Sequence, residues 1–350
     1  MPTKIVFGCN SFDSINSLIG NRKAVLITSN GAVDRGLVDR LKSYTKNIVK
    51  VISNIKTHPD MSDLKSVYDS VHESNFDLVI AMGGGSVIDV AKFISVSGSH
   101  SPSFELVKNL TIGEVKEKNY KITPLISIPT TAGTGSEISP FSTIWDKINK
   151  EKYSLNLPEL FSEVALYDPV LTLTVPKKIT IQTGLDSLSH ALESIWNKNA
   201  NAITLNYSIK AAKLIMENLV DLVNNLDNLE LRDRVMKASM YAGLAFSNTK
   251  TATAHALSYS ITLKKGIDHG VACSFTLPLL VDKIIGRYDF IDNSLKEIFG
   301  ELSSSTLRKF LNLLNISTKF EDYGISDEEF KVLKSTALKN IRSNNSLVRL

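Results

Sequence analysis

Short apolar, β-branched runs alternate with amphipathic segments over the first half of the chain. The four runs cover residues 24–28, 48–52, 78–82 and 125–129. Each predicts a buried strand bounded by turn-forming residues. The segments between them, such as 63–72 and 87–95, have apolar residues at helical spacing. Continuous apolar strands that alternate with helices predict a parallel sheet covered by helices on both faces.

The second half of the chain has a different pattern. Apolar residues recur there at helical spacing, for example in 185–195, 209–219 and 235–246. This change predicts an N-terminal α/β domain over residues 1–178 and an all-helical domain over residues 179–350, with a cleft between them. Two domains also agree with the length of 350 residues, which is too long for one ordinary hydrophobic core.

Composition and charge exclude several classes of protein. Hydrophobic residues make up 43% and charged residues 22%, as in ordinary globular proteins. The net charge of +4 is small and the basic residues are dispersed, which argues against nucleic acid as a partner. No apolar stretch approaches the roughly 20 residues of a membrane span. The two cysteines, Cys9 and Cys273, form no recognisable disulfide framework, so a reducing, cytoplasmic location is expected.

A glycine-rich turn directly follows the third predicted strand. It reads Gly83-Gly84-Gly85-Ser86, and the next predicted helix carries Asp89 in its first turn. Consecutive glycines let the backbone approach a phosphate, and free N–H groups at the start of the helix favour the anion. A turn that only reverses the chain is the alternative.

A second loop with small and hydroxyl side chains follows the fourth predicted strand. It spans residues 129–137 and contains Thr130, Thr131 and Thr134. Two such loops at the carboxyl ends of parallel strands are typical of a dinucleotide site. The pair therefore predicts a site for a nicotinamide cofactor in the α/β domain.

Metal-binding chemistry is predicted in the helical half. Asp186 and His190 are four residues apart on a strongly helical segment, so both project from one face. His255 and His269 follow on later segments. One carboxylate and three imidazoles suit Fe(II) or Zn(II) and leave room for a substrate oxygen. Spacing alone does not show that the four meet, and a single such pair is more often found on a helix surface. The other histidines are predicted to be ordinary surface residues: His58, His72 and His100.

Together these motifs resemble the iron-containing alcohol dehydrogenases, a family related in fold to dehydroquinate synthase and glycerol dehydrogenase. The matching segments are 83–92, 129–137, Asp168-Pro169, 183–193, 245–248 and His269-Gly270. They occur in family order and spacing from Phe7 to about Pro278, and the last seventy residues match loosely.

The resemblance implies a metal ion held by Asp186, His190, His255 and His269. It places Gly84, Gly85, Ser86, Thr130, Thr131, Thr134 and Lys152 near a nicotinamide cofactor, together with Ser29, Gly83 and Asp89. The ion would polarise an aldehyde oxygen while the reduced nicotinamide delivers hydride to the carbonyl carbon. At least a homodimer is expected.

Three positions depart from the common family pattern. Tyr259 stands where many relatives have a proton-relaying histidine, and it either relays the proton or packs near the cofactor. Ser29 stands where NAD-preferring relatives often have an aspartate, which favours NADPH. Lys250 replaces a small residue, as in the phosphonoacetaldehyde reductase branch. It either receives an anionic head group or is a solvated surface lysine.

The expected activity is therefore reduction of an aldehyde to a primary alcohol, with phosphonoacetaldehyde as the candidate substrate and 2-hydroxyethylphosphonate as the product. A general dehydrogenase of small uncharged aldehydes is the main alternative. A lyase of the dehydroquinate synthase type and a hydroxyacid–oxoacid transhydrogenase are further enzymatic alternatives. A catalytically silent nucleotide- and metal-binding module is the non-enzymatic one.

Overall fold

The chain folds into two compact units, seen in a computed structural model that describes residues 2–97, 104–113, 121–146, 151–348 and 350. The first unit comprises Met1–Thr131 and Ser136–Thr174, and the second comprises Ala132–Gly135 and Val175–Leu350. His100, predicted to be a surface residue, lies outside the described residues.

The first unit is built on a six-stranded parallel sheet with the order β1-β8-β5-β4-β2-β3. Its strands are β1 (Lys4–Phe7), β2 (Ala24–Thr28), β3 (Ile48–Ile52), β4 (Leu78–Gly83), β5 (Leu125–Pro129) and β8 (Val164–Tyr167). The four predicted strands all lie in this sheet, as β2, β3, β4 and β5. An antiparallel hairpin of β6 (Phe141–Asp146) and β7 (Glu151–Asn156) is separate from it.

Helices accompany the sheet, and apolar side chains are buried on both of its faces. The helices are α1 (Ile15–Ile19), α2 (Asn30–Asp34), α3 (Leu37–Tyr44), α4 (Met61–Val71), α5 (Gly85–Ser97) and α6 (Phe104–Ile112). Val25 and Ile27 of β2 belong to one hydrophobic cluster, and Ala24 and Leu26 belong to another. Neighbouring residues of a strand point to opposite faces, so the sheet is buried on both sides, which explains its uninterrupted apolar runs.

The second unit is helical throughout its described residues. Its helices are α7 (Lys177–Ile195), α8 (Ala202–Asn224), α9 (Leu229–Thr249), α10 (Thr253–Lys265), α11 (His269–Ser274), α12 (Leu277–Ile284), α13 (Asp289–Phe299), α14 (Ser305–Leu313) and α15 (Asp327–Lys339). Short 3-10 helices at Glu321–Tyr323 and Ile341–Asn345 complete it. The predicted architecture, an α/β domain followed by an all-helical domain, is confirmed. None of the described helices is both long enough and apolar enough to cross a bilayer.

One part of the predicted domain division differs from the structure. The units divide at Thr174/Val175, and residues 132–135 of the second predicted loop group with the helical unit. A Cβ on Gly133 would lie 2.5 Å from the Thr183 Cβ, and Gly133 accepts a 3.1 Å hydrogen bond from the Ser187 hydroxyl. This close packing against α7 assigns Thr134 to the helical unit and not to the α/β domain.

Candidate active site

The four predicted metal ligands come together within the helical unit. Asp186 and His190 lie one turn apart on α7, His255 lies on α10, and His269 begins α11. The Asp186 Oδ1 atom lies 3.5 Å from His255 Nε2, 3.9 Å from His269 Nε2 and 4.0 Å from His190 Nε2. Three imidazole nitrogens therefore surround one carboxylate oxygen.

The geometry and chemistry of this cluster fit a divalent ion. Ligand atoms about 2.0–2.2 Å from an ion stand roughly 3–3.5 Å from one another, close to the separations in the cluster. Asp186 Oδ1 and His255 Nε2 are buried, and within the described chain neither makes a hydrogen bond. Because buried polar atoms rarely go without a partner, a missing one is expected between them. The donor types suit Fe(II) or Zn(II). Asp186, His255 and His269 belong to one group of mutually close ligand atoms, whereas His190 is not in that group and lies 4.0 Å from Asp186 Oδ1.

A fifth donor, Cys273, was missed by the sequence analysis. It lies four residues after His269 on α11, and its Sγ atom is 3.8 Å from His269 Nε2. Ligand atoms of Asp186, His255, His269 and Cys273 all lie within 4.8 Å of one another. The His-x-x-x-Cys spacing on one helix face was the available signal. A thiolate is a softer ligand than imidazole and favours zinc.

Close contact between α11 and α7 places His269 beside Asp186. A Cβ on Gly270 would lie 1.9 Å from the Gln182 carbonyl oxygen, so only glycine fits there. The Ser274 hydroxyl donates to the Leu185 carbonyl at 2.9 Å. Small residues on α11 thus let the two backbones approach, and the two ligands meet as a result.

Glu193 orients the His255 ring. Its carboxylate is fully buried and lies 2.6 Å from His255 Nδ1. It also accepts hydrogen bonds from the backbone N–H groups of Ala252 (2.9 Å) and Ala254. A carboxylate on Nδ1 keeps the proton there and leaves the Nε2 lone pair for an ion. Glu193 lies seven residues after Asp186, two helical turns along the same face, which was the sequence signal for it.

The electrostatics of the cluster favour a cation. Burial raises the pKa of Asp186, but the positive charges of His190, His269 and His255 outweigh it, and the pKa is lowered. Burial lowers the pKa of His255, yet Cys273, Glu193 and Asp186 together raise it well above its ordinary value. The cluster therefore favours positive charge, and a metal ion would replace the protons that its acidic groups attract.

The two predicted nucleotide loops meet in the α/β unit. The Thr130 backbone N–H donates to the Gly83 carbonyl at 3.0 Å. A Cβ on Gly84 would lie 3.3 Å from the Thr131 hydroxyl, and one on Gly83 would lie 2.6 Å from a Val87 methyl group. The loops at the ends of β4 and β5 therefore pack against each other, with no room for a side chain at Gly83 and little at Gly84.

A buried lysine supports the second loop. The fully buried Lys92 ammonium donates to the carbonyls of Ser136, Ser139 and Phe141 at 2.5, 2.6 and 2.7 Å. The Ser136 hydroxyl donates to Asp89 at 2.6 Å. Asp89, predicted to contact the cofactor, thus has its partners within the α/β unit. Lys152, another predicted cofactor residue, lies over the Trp145 ring at 5.2 Å.

His58 is not the ordinary surface residue that was predicted, whereas His72 is exposed. His58 is partly buried and has a left-handed φ of 52°. Its ring packs edge-on against Trp145 at 4.7 Å, and its backbone N–H donates to the Ser86 hydroxyl at 3.3 Å. His58 therefore helps to fix Ser86 at the start of α5.

Ser29 directly follows β2, as predicted, and forms an isolated antiparallel β-bridge with Asn54.

Tyr259 and Lys250 both lie in the helical unit, and Tyr259 contacts a residue of the metal cluster. The buried Tyr259 ring stacks on His269, with ring centres 5.7 Å apart and an interplanar angle of 8°. Lys250 is exposed and ends α9 with φ 66° and ψ 169°. This conformation is essentially restricted to glycine and costs a lysine about 1–3 kcal/mol.

Comparison with known proteins agrees with this arrangement. Residues 2–169 match the model of the iron-containing alcohol dehydrogenases, and residues 180–348 match the C-terminal model of the Fe-containing alcohol dehydrogenase family. The NADPH-dependent butanol dehydrogenase of Clostridium saccharobutylicum is 30% identical over 95% of this chain and 88% of its own. The sulfoacetaldehyde reductase of Bilophila wadsworthia is 28% identical over 98% of this chain and 93% of its own.

Solved structures agree as well. The sulfoacetaldehyde reductase of Bifidobacterium kashiwanohense, in complex with NAD+, superimposes with a TM-score of 0.91. It is 28% identical, and the match covers 99% of this chain and 93% of that one. The predicted enzyme class and the metal and nicotinamide cofactors are confirmed at the level of the family, which leaves no place for a silent binding module. By these matches over both of its units, the chain belongs to the iron-containing alcohol dehydrogenase family.

Proposed function

We propose that this enzyme reduces a short aldehyde with an anionic head group to the corresponding primary alcohol, using a divalent metal and NADPH or NADH. Phosphonoacetaldehyde, which would give 2-hydroxyethylphosphonate, is the proposed substrate. Sulfoacetaldehyde has the same length and also carries an anion, and it is the second candidate because two relatives bear that activity in their names.

The observation that carries the proposal is the strained backbone at Lys250. Two side-chain amides hold this loop in place: Asn197 donates to the Lys250 carbonyl at 3.0 Å, and Asn199 donates to the Thr249 carbonyl at 3.2 Å. A glycine would adopt the same backbone without cost, so the lysine at this position supports a role for its side chain that glycine could not serve. A cation five residues before the metal ligand His255 is suited to an anionic substrate.

Each group has a defined task in the proposed reaction. When bound, the metal supplies a Lewis acid for the carbonyl oxygen and the reduced nicotinamide supplies the hydride. Asp186 and the three histidines hold the ion, and Glu193 keeps the His255 Nε2 lone pair directed at it. Tyr259, stacked on His269, donates a proton towards the product oxygen. Lys250 binds the head group of the substrate and so orients the aldehyde.

A substrate panel tests the proposal. Phosphonoacetaldehyde, sulfoacetaldehyde and uncharged propanal are compared by the loss of reduced-cofactor absorbance, with Fe(II) or Zn(II) added to the enzyme. We expect a higher kcat/KM for the anionic aldehydes, and we expect Lys250→Ala to raise the KM for them alone. Equal kcat/KM for propanal would instead support a general alcohol dehydrogenase, as the butanol dehydrogenase relative suggests.

Tyr259→Phe tests the proton-donating role. The ring and its stacking on His269 are kept, so metal content is expected to stay at the wild-type level. Removing the hydroxyl is expected to lower kcat for aldehyde reduction by about 10²-fold, the lower range for general acid catalysis. An unchanged kcat would assign Tyr259 to packing.

We also propose that the enzyme is a cytoplasmic homodimer or larger homo-oligomer. Light scattering of the purified protein measures the number of subunits directly, and a monomer at micromolar concentration would contradict the proposal.

A further inference from the structure

Arg342 lies one aromatic ring away from the metal cluster. Its guanidinium carbon is 4.9 Å from the centre of the Tyr259 ring, and that ring stacks in turn on His269. Arg342 comes from the 3-10 helix Ile341–Asn345, outside the sequence motifs that carry the family resemblance. No motif of the sequence analysis pointed to it.

Among the described residues the guanidinium of Arg342 has no acidic partner, unlike those of two other arginines in the same unit. In the same unit Arg234 pairs with Glu230 at 2.5 Å and Arg308 pairs with Asp282 at 2.7 Å. Arg342 is partly buried, yet within the described residues its guanidinium has no carboxylate within ion-pair distance and no hydrogen-bond acceptor. A partly desolvated cation without a counter-ion attracts an anion more strongly than an exposed one.

The segment that carries Arg342 is held against the loop that carries Lys250. Asn345 donates its side-chain amide to the Thr251 carbonyl at 2.9 Å. The Lys198 backbone N–H donates to the Asn345 carbonyl at 2.7 Å, and the Leu347 N–H donates to the Trp196 carbonyl at 2.9 Å. These bonds fix the backbone at the C-terminal end of the 3-10 helix, so Arg342 is presented from an ordered support.

The head group of a two-carbon aldehyde would lie near the metal ligands. If the carbonyl oxygen is at the metal, the terminal anionic oxygens of such an aldehyde lie about 5 Å further out, by summed bond lengths. One aromatic ring, that of Tyr259, separates Arg342 from the ligand His269. A planar guanidinium can bind two oxygens of a phosphonate or sulfonate at once, which a lysine ammonium cannot.

We propose that Arg342 binds the anionic head group of the substrate and sets the preference for phosphonate or sulfonate aldehydes. This inference deepens the proposed function and rests on it for the identity of the substrate. Tyr259 then has a second task, because its ring supports the guanidinium through a cation–π contact. Lys250 contributes charge, whereas Arg342 supplies the two-point recognition.

Titration calorimetry with ethylphosphonate, a non-reactive analogue, tests the inference on metal-loaded enzyme with oxidised cofactor. Arg342→Gln is expected to weaken ethylphosphonate binding by about 10- to 100-fold, the usual range for one charge-assisted interaction. Arg342→Lys is expected to fall between wild type and Arg342→Gln. Arg287→Gln is the matched control, because it removes one exposed arginine of the same unit and is expected to bind as wild type does.

The outcomes separate this inference from the proposed function. The role of Arg342 is overturned if Arg342→Gln binds ethylphosphonate with wild-type affinity. It is also overturned if Arg342→Gln and Arg287→Gln weaken ethylphosphonate binding equally. Equal losses of kcat/KM for propanal and phosphonoacetaldehyde would also overturn it, since they indicate a structural role. If Arg342→Gln abolishes ethylphosphonate binding but wild type reduces neither anionic aldehyde, the anion site stands and the proposed substrate fails. If the Arg342→Gln variant does not fold, the Arg342→Lys variant serves as the test. Binding of ethylphosphonate by Arg342→Lys with wild-type affinity would contradict two-point recognition.

Discussion

Replacing Glu193 by glutamine isolates the effect of orienting one metal ligand. The carboxylate oxygens of Glu193 face three groups: the N–H groups of Ala252 and Ala254 and the Nδ1 atom of His255. Glutamine has the same shape but only one accepting oxygen. Whichever way the amide is turned, its NH2 group faces at least one of the backbone N–H groups, and that donor loses its partner.

The magnitude follows from these contacts. When the NH2 group faces His255, the ring must accept at Nδ1 and carry its proton on Nε2, the atom needed by the ion. Loss of such a supporting partner typically weakens metal binding by about 10- to 100-fold. The unpaired, buried backbone N–H should separately lower the free energy of unfolding by about 1–3 kcal/mol. The Glu193→Gln variant is therefore expected to bind metal less tightly and to be less stable.

Metal affinity is measured by equilibrium dialysis against buffered Zn(II), with the bound metal counted by mass spectrometry. Glu193→Asp is the matched control, because it keeps the charge and changes only the reach of the side chain. At saturating metal the kcat of Glu193→Gln should recover most of the wild-type value, since Glu193 does not touch the substrate in the proposed reaction. Wild-type metal affinity in Glu193→Gln would refute the orienting role.

Three further predictions concern other parts of the chain. Cys273→Ser is expected to abolish a thiolate-to-metal charge-transfer band in the near-ultraviolet spectrum of the Co(II)-substituted enzyme; absence of the band in wild type would exclude Cys273 as a ligand. Ser29→Asp is expected to lower the ratio of kcat/KM for NADPH to that for NADH at least 10-fold, because a carboxylate repels the 2′-phosphate, and an unchanged ratio places Ser29 away from the ribose. Burial lowers the pKa of Lys92 to about 8. Between pH 8 and about 10.4, the ordinary lysine value, Lys92 is therefore protonated in the unfolded chain but not in the folded one. The free energy of unfolding should rise with pH over this range. In urea titrations the Lys92→Met variant should not show this rise. Its free energy of unfolding at pH 7 should be lower than that of wild type by about 3 kcal/mol, because three buried carbonyls lose their donor. Equal stability of the two proteins would contradict this prediction.

The local sequence pattern was sufficient to predict the helices and strands, but it was not sufficient to predict contacts between distant segments. The apolar strands were predictable because burial on both faces leaves an uninterrupted signature, as in residues 78–82. The grouping of Thr134 with the helical unit could not be predicted. It depends on the fit of Gly133 against Thr183, a contact between segments fifty residues apart. Asp186 and His190 were found from helical periodicity. Arg342 was not, because nothing in its local sequence indicates a ring stacked on a metal ligand.

The donors of the metal cluster come from three helices: α8 and α9 separate α7 from α10, and a short loop joins α10 to α11. An ion held by all three would act as a removable cross-link, closing chain segments that the unfolded protein leaves open. Since such an ion binds the folded form only, the melting temperature of the helical unit would depend on free metal concentration. A cell short of the metal would then lose the enzyme itself through unfolding and proteolysis, and not only its activity.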